Sequence, residues 1–254
     1  MTIFATQNRP IFHTAKTFAA GAALVAGSLG LAGCFNINVG GFDGETLDEL
    51  DKSGSAPTEI ALAGPDDLVI KTGKKLKIKV SGDEEAIEAL RFKRDGDTLT
   101  VGRDGDASWN AGSATVTITM PAPTDISMFG SGSITAAELA SDADISMAGS
   151  GSISVTEVAA DKLEISSAGS GSIKAAGTAS KLEVNIMGSG SAGLKKLKAD
   201  EVDVTIAGSG GVRVASDGKV EASIAGSGSV VVTGDAECKS SVAGSGTLTC
   251  KPAE

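Results

Sequence analysis

Residues 163–173 read LEISSAGSGSI, residues 182–192 read LEVNIMGSGSA and residues 202–212 read VDVTIAGSGGV. The three stretches align without a gap. In each, apolar and polar side chains alternate up to a glycine pair, as Leu163 and Ile165 do with Glu164 and Ser166. Alternation with period two predicts a strand with one face buried. Working outward in both directions, Gly-Ser-Gly begins at Gly130, Gly149, Gly169, Gly188, Gly208, Gly226 and Gly244, at spacings of 19, 20, 19, 20, 18 and 18 residues. Four positions before each corner stand Ile126, Ile145, Ile165, Val184, Val204, Ala222 and Ser240. Four positions after it stand Ile134, Ile153, Ile173, Ala192, Val212, Val230 and Leu248. Each repeat therefore predicts a strand, a glycine corner, a second strand and a return.

One such repeat cannot bury its apolar side alone, whereas a stack of them encloses a continuous core. The expected fold is all-β: a single-stranded, right-handed parallel β-helix with about 19 residues per coil and a rod length of roughly 30–35 Å for seven coils. Glycine suits the corner because it accepts positive φ and carries no Cβ to strike the next coil. The serine hydroxyls are placed to hydrogen-bond along the stack. Composition agrees: aromatic residues make up 3% of the chain, Tyr is absent, and glycine reaches 34 residues. A narrow solenoid needs no large rings to fill its centre.

Ahead of the repeats the chain divides into three. Residues 1–33 hold Arg9, Lys16 and no acid, and residues 17–33 (TFAAGAALVAGSLGLAG) are small and apolar. This is the layout of a signal peptide. The stretch is short for a bilayer core, which asks for about 20 apolar residues. Leu31-Ala32-Gly33-Cys34 resembles the lipobox of bacterial lipoproteins, in which the cysteine is acylated and the chain is cut just before it. The resemblance implies lipidation at Cys34 and a membrane partner through that lipid. The same resemblance implies an outer-membrane address, because Phe35 stands where such lipoproteins often carry an inner-membrane retention aspartate. Residues 34–57 are rich in Gly, Asp, Glu and Ser and predict a flexible acidic tether. Residues 58–120 alternate apolar and polar without the glycine corner, and predict irregular first coils or a β cap over the open edge. Within them Asp95-Gly96 predicts a hairpin turn, and Glu84–Ala89 (EEAIEA) a short helix. The regular repeats fill 121–254.

The blocks Asp67–Val80 (DLVIKTGKKLKIKV), Leu90–Val101 (LRFKRDGDTLTV) and Ala114–Pro121 (ATVTITMP), running straight into the first Gly-Ser-Gly, resemble the bacterial family named for the head GIN domain of auto-transporter adhesins. The resemblance spans nearly the whole exported part. It implies a right-handed parallel β-helix in an envelope protein, often a lipoprotein, and brings no catalytic motif with it.

The residues narrow the chemistry further. His13 is the single histidine and lies in the segment expected to be removed. Without it, Ser-His-Asp and Cys-His nucleophilic chemistry and His-ligated zinc are excluded. No cofactor and no metal are expected. The net charge of −10 disfavours nucleic acid as a partner. Five positions before the corners, Asp125, Asp144, Glu164, Glu183, Asp203 and Glu221 line up as an acidic ladder. It reads either as a solvated face that discourages self-association or as a track for cations or a basic partner. Cys238 and Cys250 bracket the last corner in otherwise inward columns, and an oxidising envelope permits a disulfide between them; two buried free thiols are the alternative. Phe129 and Met187, where alanine is usual, are either surface anchors or packing residues.

Two functions remain. The first is a membrane-anchored envelope module, structural or adhesin-like, for an envelope protein or glycan partner, without catalysis. The second is a glycan-binding or polysaccharide-lyase-like β-helix, which would need Asp gathered with Arg or Lys in a groove. The strand after the corner offers only Lys174 and Arg213, scattered along the sequence.

Overall fold

The computed structural model describes residues 42–105 and 112–252. They belong to one compact unit spanning Ile37–Glu254; a second unit, Met1–Asn36, lies outside the described residues. The chain forms β1 (Glu59–Gly64), β2 (Asp67–Thr72), β3 (Lys77–Gly82), helix α1 (Glu84–Ala89), β4 (Leu90–Asp95), β5 (Thr98–Arg103) and β6 (Ala114–Met120). The repeats supply β7 (Asp125–Gly130), β8 (Ser133–Glu138), β9 (Asp142–Gly149), β10 (Ser152–Gly169), β11 (Ser172–Gly188), β12 (Ser191–Gly208), β13 (Gly211–Ala215), β14 (Lys219–Gly226), β15 (Ser229–Thr233), β16 (Glu237–Gly244) and β17 (Thr247–Lys251). The result is a β-solenoid of about seven turns with about 19 residues per coil.

Register is kept column by column. Ile126 faces Ile145 across β7 and β9, Ile145 faces Ile165, Ile165 faces Val184 and Val184 faces Val204. These side chains are 0–2% exposed and form the wall of the core. A slip of one residue would turn every one of them outward, so the alternation fixes the pairing.

The N-terminal strands enter the same columns in a different order. β1 pairs in parallel with β7 on one side and with β5 on the other. β2 lies likewise between β8 and β6. The turn made of β1 and β2 is thus second in the stack, and the later turn of β5 and β6 lies outside it. Beyond that, β3 adds antiparallel to β6 and β4 antiparallel to β5. Gly96, at φ +59°, makes the hairpin between β4 and β5. Helix α1 joins β3 to β4, burying Ala86 and Ala89, with Glu84 and Glu85 in its first turn, where the helix dipole favours negative charge. Lys77 and Lys79 alternate along edge strand β3 and discourage pairing with another chain.

Residues 42–57 do not form a tether. Glu45 and Phe92 exchange two backbone hydrogen bonds of 2.7 Å, Leu50 is buried, and the Arg94 guanidinium donates to the Ser53 and Ser55 carbonyls. The polar composition conceals Leu47 and Leu50, which pack against the core cluster at the cap. Residues 34–41, with Cys34, lie outside the described residues.

A buried ion pair secures the cap. Asp66 follows Gly64-Pro65 where later coils carry the last corner glycine. Its carboxylate accepts bonds from Arg103 Nε at 2.8 Å and Nη2 at 2.6 Å and from the Ala114 N–H at 2.9 Å. Asp66 holds the coil of β1 and β2 to that of β5 and β6, and the bond to it raises the Arg103 pKa. At the other end the last coil has one neighbour only. β16 and β17 are largely exposed, and Cys238 and Cys250 form a disulfide across the coil.

Candidate functional site

The corners come first, because they set how closely the faces stack. All seven leading glycines have φ between +111° and +137°. From the second corner onward, a Cβ at the leading glycine would come closer than 3.0 Å to the carbonyl oxygen of the leading glycine one coil earlier. That carbonyl accepts a hydrogen bond from the N–H of the corner serine above it: Ser150 to Gly130 at 3.0 Å, Ser189 to Gly169 at 2.9 Å, Ser227 to Gly208 at 2.9 Å. The corner serines therefore bond along the stack through their backbone, not through the hydroxyls as the sequence led us to expect. Ser131, Ser150 and Ser170 line a shallow polar trough together with Ser133, Ser152 and Ser172, where the Ser133 hydroxyl donates to the Asp67 carboxylate.

The acidic residues do form one ladder. Asp125, Asp144, Glu164, Glu183, Asp203 and Glu221 are register partners in succession. Glu59, in a coil that no glycine tripeptide marks in the sequence, extends the ladder beside Asp125. The ladder is not a bare row of charge. Lys162 pairs with Glu164 at 3.3 Å and Lys181 with Asp203 at 3.6 Å. Ser127 Oγ donates to Asp125 at 2.8 Å, and Asn185 Nδ2 to Glu183 at 3.2 Å. Burial, reinforced by Glu59 and Asp144, pushes the Asp125 carboxyl above the usual carboxylate range against the opposing bond from Ser127. Burial and the Glu164 charge do the same to Asp144, with Lys162 opposing. Among the described residues no group of three or more His, Cys, Asp and Glu is arranged to hold a metal ion. Met187 is 43% exposed, whereas Phe129 is half-buried.

The strands after the corner carry a different arrangement. Lys174 of β11 is the register partner of Gly193 of β12, and Gly193 that of Arg213 of β13. The register then breaks: between Val155 and Val158 in the β10–β11 pair, and between Lys174 and Ala176 in the β11–β12 pair. Bulges bend a strand and re-aim its side chains. Here they bring Lys195 and Lys196 to the same place. Lys174, Lys195, Lys196 and Arg213 line an open trough of about 650 Å³, floored by Ala175, Ala176 and Gly193. None of the four cations forms an ion pair among the described residues, and no carboxylate lines the trough. Lys174 and Arg213, scattered in the sequence, are thus gathered by the fold.

Residues 56–236 match the family described as "Putative auto-transporter adhesin, head GIN domain". The chain belongs to this family. Solved structures similar to this head GIN protein share its solenoid. A "putative adhesin" from Bacteroides fragilis is 22% identical with a TM-score of 0.69, covering 79% of this chain and 94% of that one. A "putative lipid binding protein" from Parabacteroides distasonis is 24% identical with a TM-score of 0.62, covering 78% and 94%. A "putative adhesin" from Parabacteroides merdae is 21% identical with a TM-score of 0.58, covering 78% and 93%. At these identities the likeness is one of fold. No curated protein matches the sequence.

Proposed function

We propose that this head GIN protein is a lipid-anchored protein of the bacterial cell envelope, and that its solenoid is a stiff interaction module rather than an enzyme. The observation that carries the reading is the constancy of register over successive coils in the columns that lead to the corner. It gives each outward column a fixed spacing and each face a fixed chemistry, which is what a presenting surface needs. The adhesin-like family supports an envelope or surface setting. The Leu31–Cys34 motif supports attachment through Cys34 and, with Phe35 after it, an outer-membrane address. The lipid on Cys34 would supply the membrane attachment and leave the solenoid to meet a partner, here an envelope protein or a glycan.

The test is the intact mass of the membrane-extracted protein beside a Cys34→Ala variant, with fractionation of the cells. A chain beginning at residue 34 with added acyl mass, lost in the variant, is the expected result. An uncleaved or unacylated chain overturns the anchor. Incubation with a panel of acidic glycans tests the absence of catalysis, and release of an unsaturated product overturns it.

A further inference from the structure

We infer that the trough between β10 and β13 is a binding site for an anionic polysaccharide, one bearing carboxylate or sulfate groups. Three features lead there. First, in a chain of net charge −10, four cationic side chains from three coils share one concave surface and leave their charges unmatched. Four other lysines of the rod, Lys162, Lys181, Lys198 and Lys239, pair with a carboxylate; what sets the trough apart is that four cations gather on one surface with no carboxylate among its lining residues. Unpaired cations converging on a cleft attract a ligand of opposite charge.

Second, the floor is cleared. Gly193 stands between Lys174 and Arg213, and a Cβ there would meet nothing closer than the Lys174 stem at 3.5 Å. The position is not glycine for lack of room. Its bareness leaves a low seat of Gly193 and the half-buried Ala176, flanked by the Lys174 stem, on which the C–H face of a sugar ring can lie. The charged heads rise on either side.

Third, the direction is set. Lys174 and Arg213 are two coils apart, ~10 Å along the rod. On the corner side the same face continues as Ser152, Ser172 and Ser191 in register, so hydroxyls run parallel to the cations. An extended polymer with recurring anions and its own hydroxyls matches this arrangement. Arg213 suits planar two-point contact with a carboxylate or sulfate, and the lysines act as point charges. The inference deepens the interaction-module reading by naming the partner class, and it does not depend on the anchor.

The experiment uses the full-length protein with heparin and polygalacturonate as probes and neutral dextran as the blank, at physiological ionic strength. The test variant is Lys174→Ser, Lys195→Ser, Lys196→Ser and Arg213→Ser together. The control variant removes as many charges from the other face, by Lys162→Ser, Lys181→Ser, Lys219→Ser and Lys239→Ser. All eight positions are exposed or half-exposed, and matched thermal melts verify folding. We expect binding to at least one acidic probe and none to dextran, a rise in Kd of about tenfold or more in the test variant, and little change in the control variant. No binding to either acidic probe, equal losses in the two variants, or stronger binding to phosphatidylglycerol vesicles or duplex DNA would each overturn the proposal. An intact mass without acylation would leave this result standing, so the two failures are separable.

Discussion

At the scale of single residues, the inward columns show where the fold is tight and where it is slack. Ser167 occupies the column of Met147 and Ile186, is 4% exposed, and its hydroxyl has no hydrogen-bond partner among the described residues. A buried hydroxyl without a partner costs about 1–3 kcal/mol. Ser167→Ala is therefore expected to stabilise the protein by about 1 kcal/mol, read as a higher urea midpoint with an unchanged slope. The corner glycines are the opposite case. At Gly208, with φ +131°, an added methyl would meet the Gly188 carbonyl. Gly208→Ala is expected to cost about 2 kcal/mol or more from backbone strain and the lost approach of two coils, measurable in the same titration. The acids Asp125 and Asp144 add a pH signature. Their folded-state pKa values are raised, so the native state binds those protons more tightly than the unfolded chain. The penalty is absent at low pH, grows as pH rises through the carboxylate range, and persists at neutrality. Asp125→Asn with Asp144→Asn should accordingly raise the melting temperature at pH 7 and leave it unchanged below about pH 3.

At the scale of elements, the regular strands were legible because one physical rule governs them. A column that must face a core stays apolar, a column that faces water stays polar, and the corner glycine stamps the period. The hairpin at Asp95-Gly96 and the helix Glu84–Ala89 were legible for the same local reasons, turn chemistry and propensity. The trough was not. Lys174 and Arg213 lie 39 positions apart in the sequence, and only the bulges, which break the period that makes the rest readable, bring Lys195 and Lys196 beside them. Nor was the Asp66–Arg103 pair visible, since it joins a loop to a strand end across two stacked coils that the chain separates by β3, α1 and β4. Arg103 is 4% exposed and Asp66 1%. Removing one member strands the other charge, so Arg103→Met is expected to cost about 3–5 kcal/mol and to loosen β3 through β6 first. Hydrogen exchange would show protection lost there while β11 and β12 keep theirs.

At the scale of the whole molecule, the two ends differ. The first is closed by antiparallel strands, a helix and the segment 42–57; the last is held by the Cys238–Cys250 disulfide and polar side chains. Reduction is expected to lower stability by about 3 kcal/mol on the chain-entropy estimate for a short loop, with exchange quickening in β16 and β17 before any other strand. The stacking order carries a further consequence. The turn of β1 and β2 is made first, yet it ends up inside, because β5 and β6 cover one side of it and β7 and β8 the other. It is a seed that the chain itself seals on one side and then extends on the other. Every later coil adds to the open side of the coil before it, so length is adjustable at that end. Excising residues 131–149, which joins Gly130 to Ser150, should give a folded rod one coil shorter, by ~4.8 Å, whereas excising β5 and β6 should leave the turn of β1 and β2 covered by β7 and β8 on one side and bare on the other, an open edge that pairs with further copies and is read as oligomers in solution.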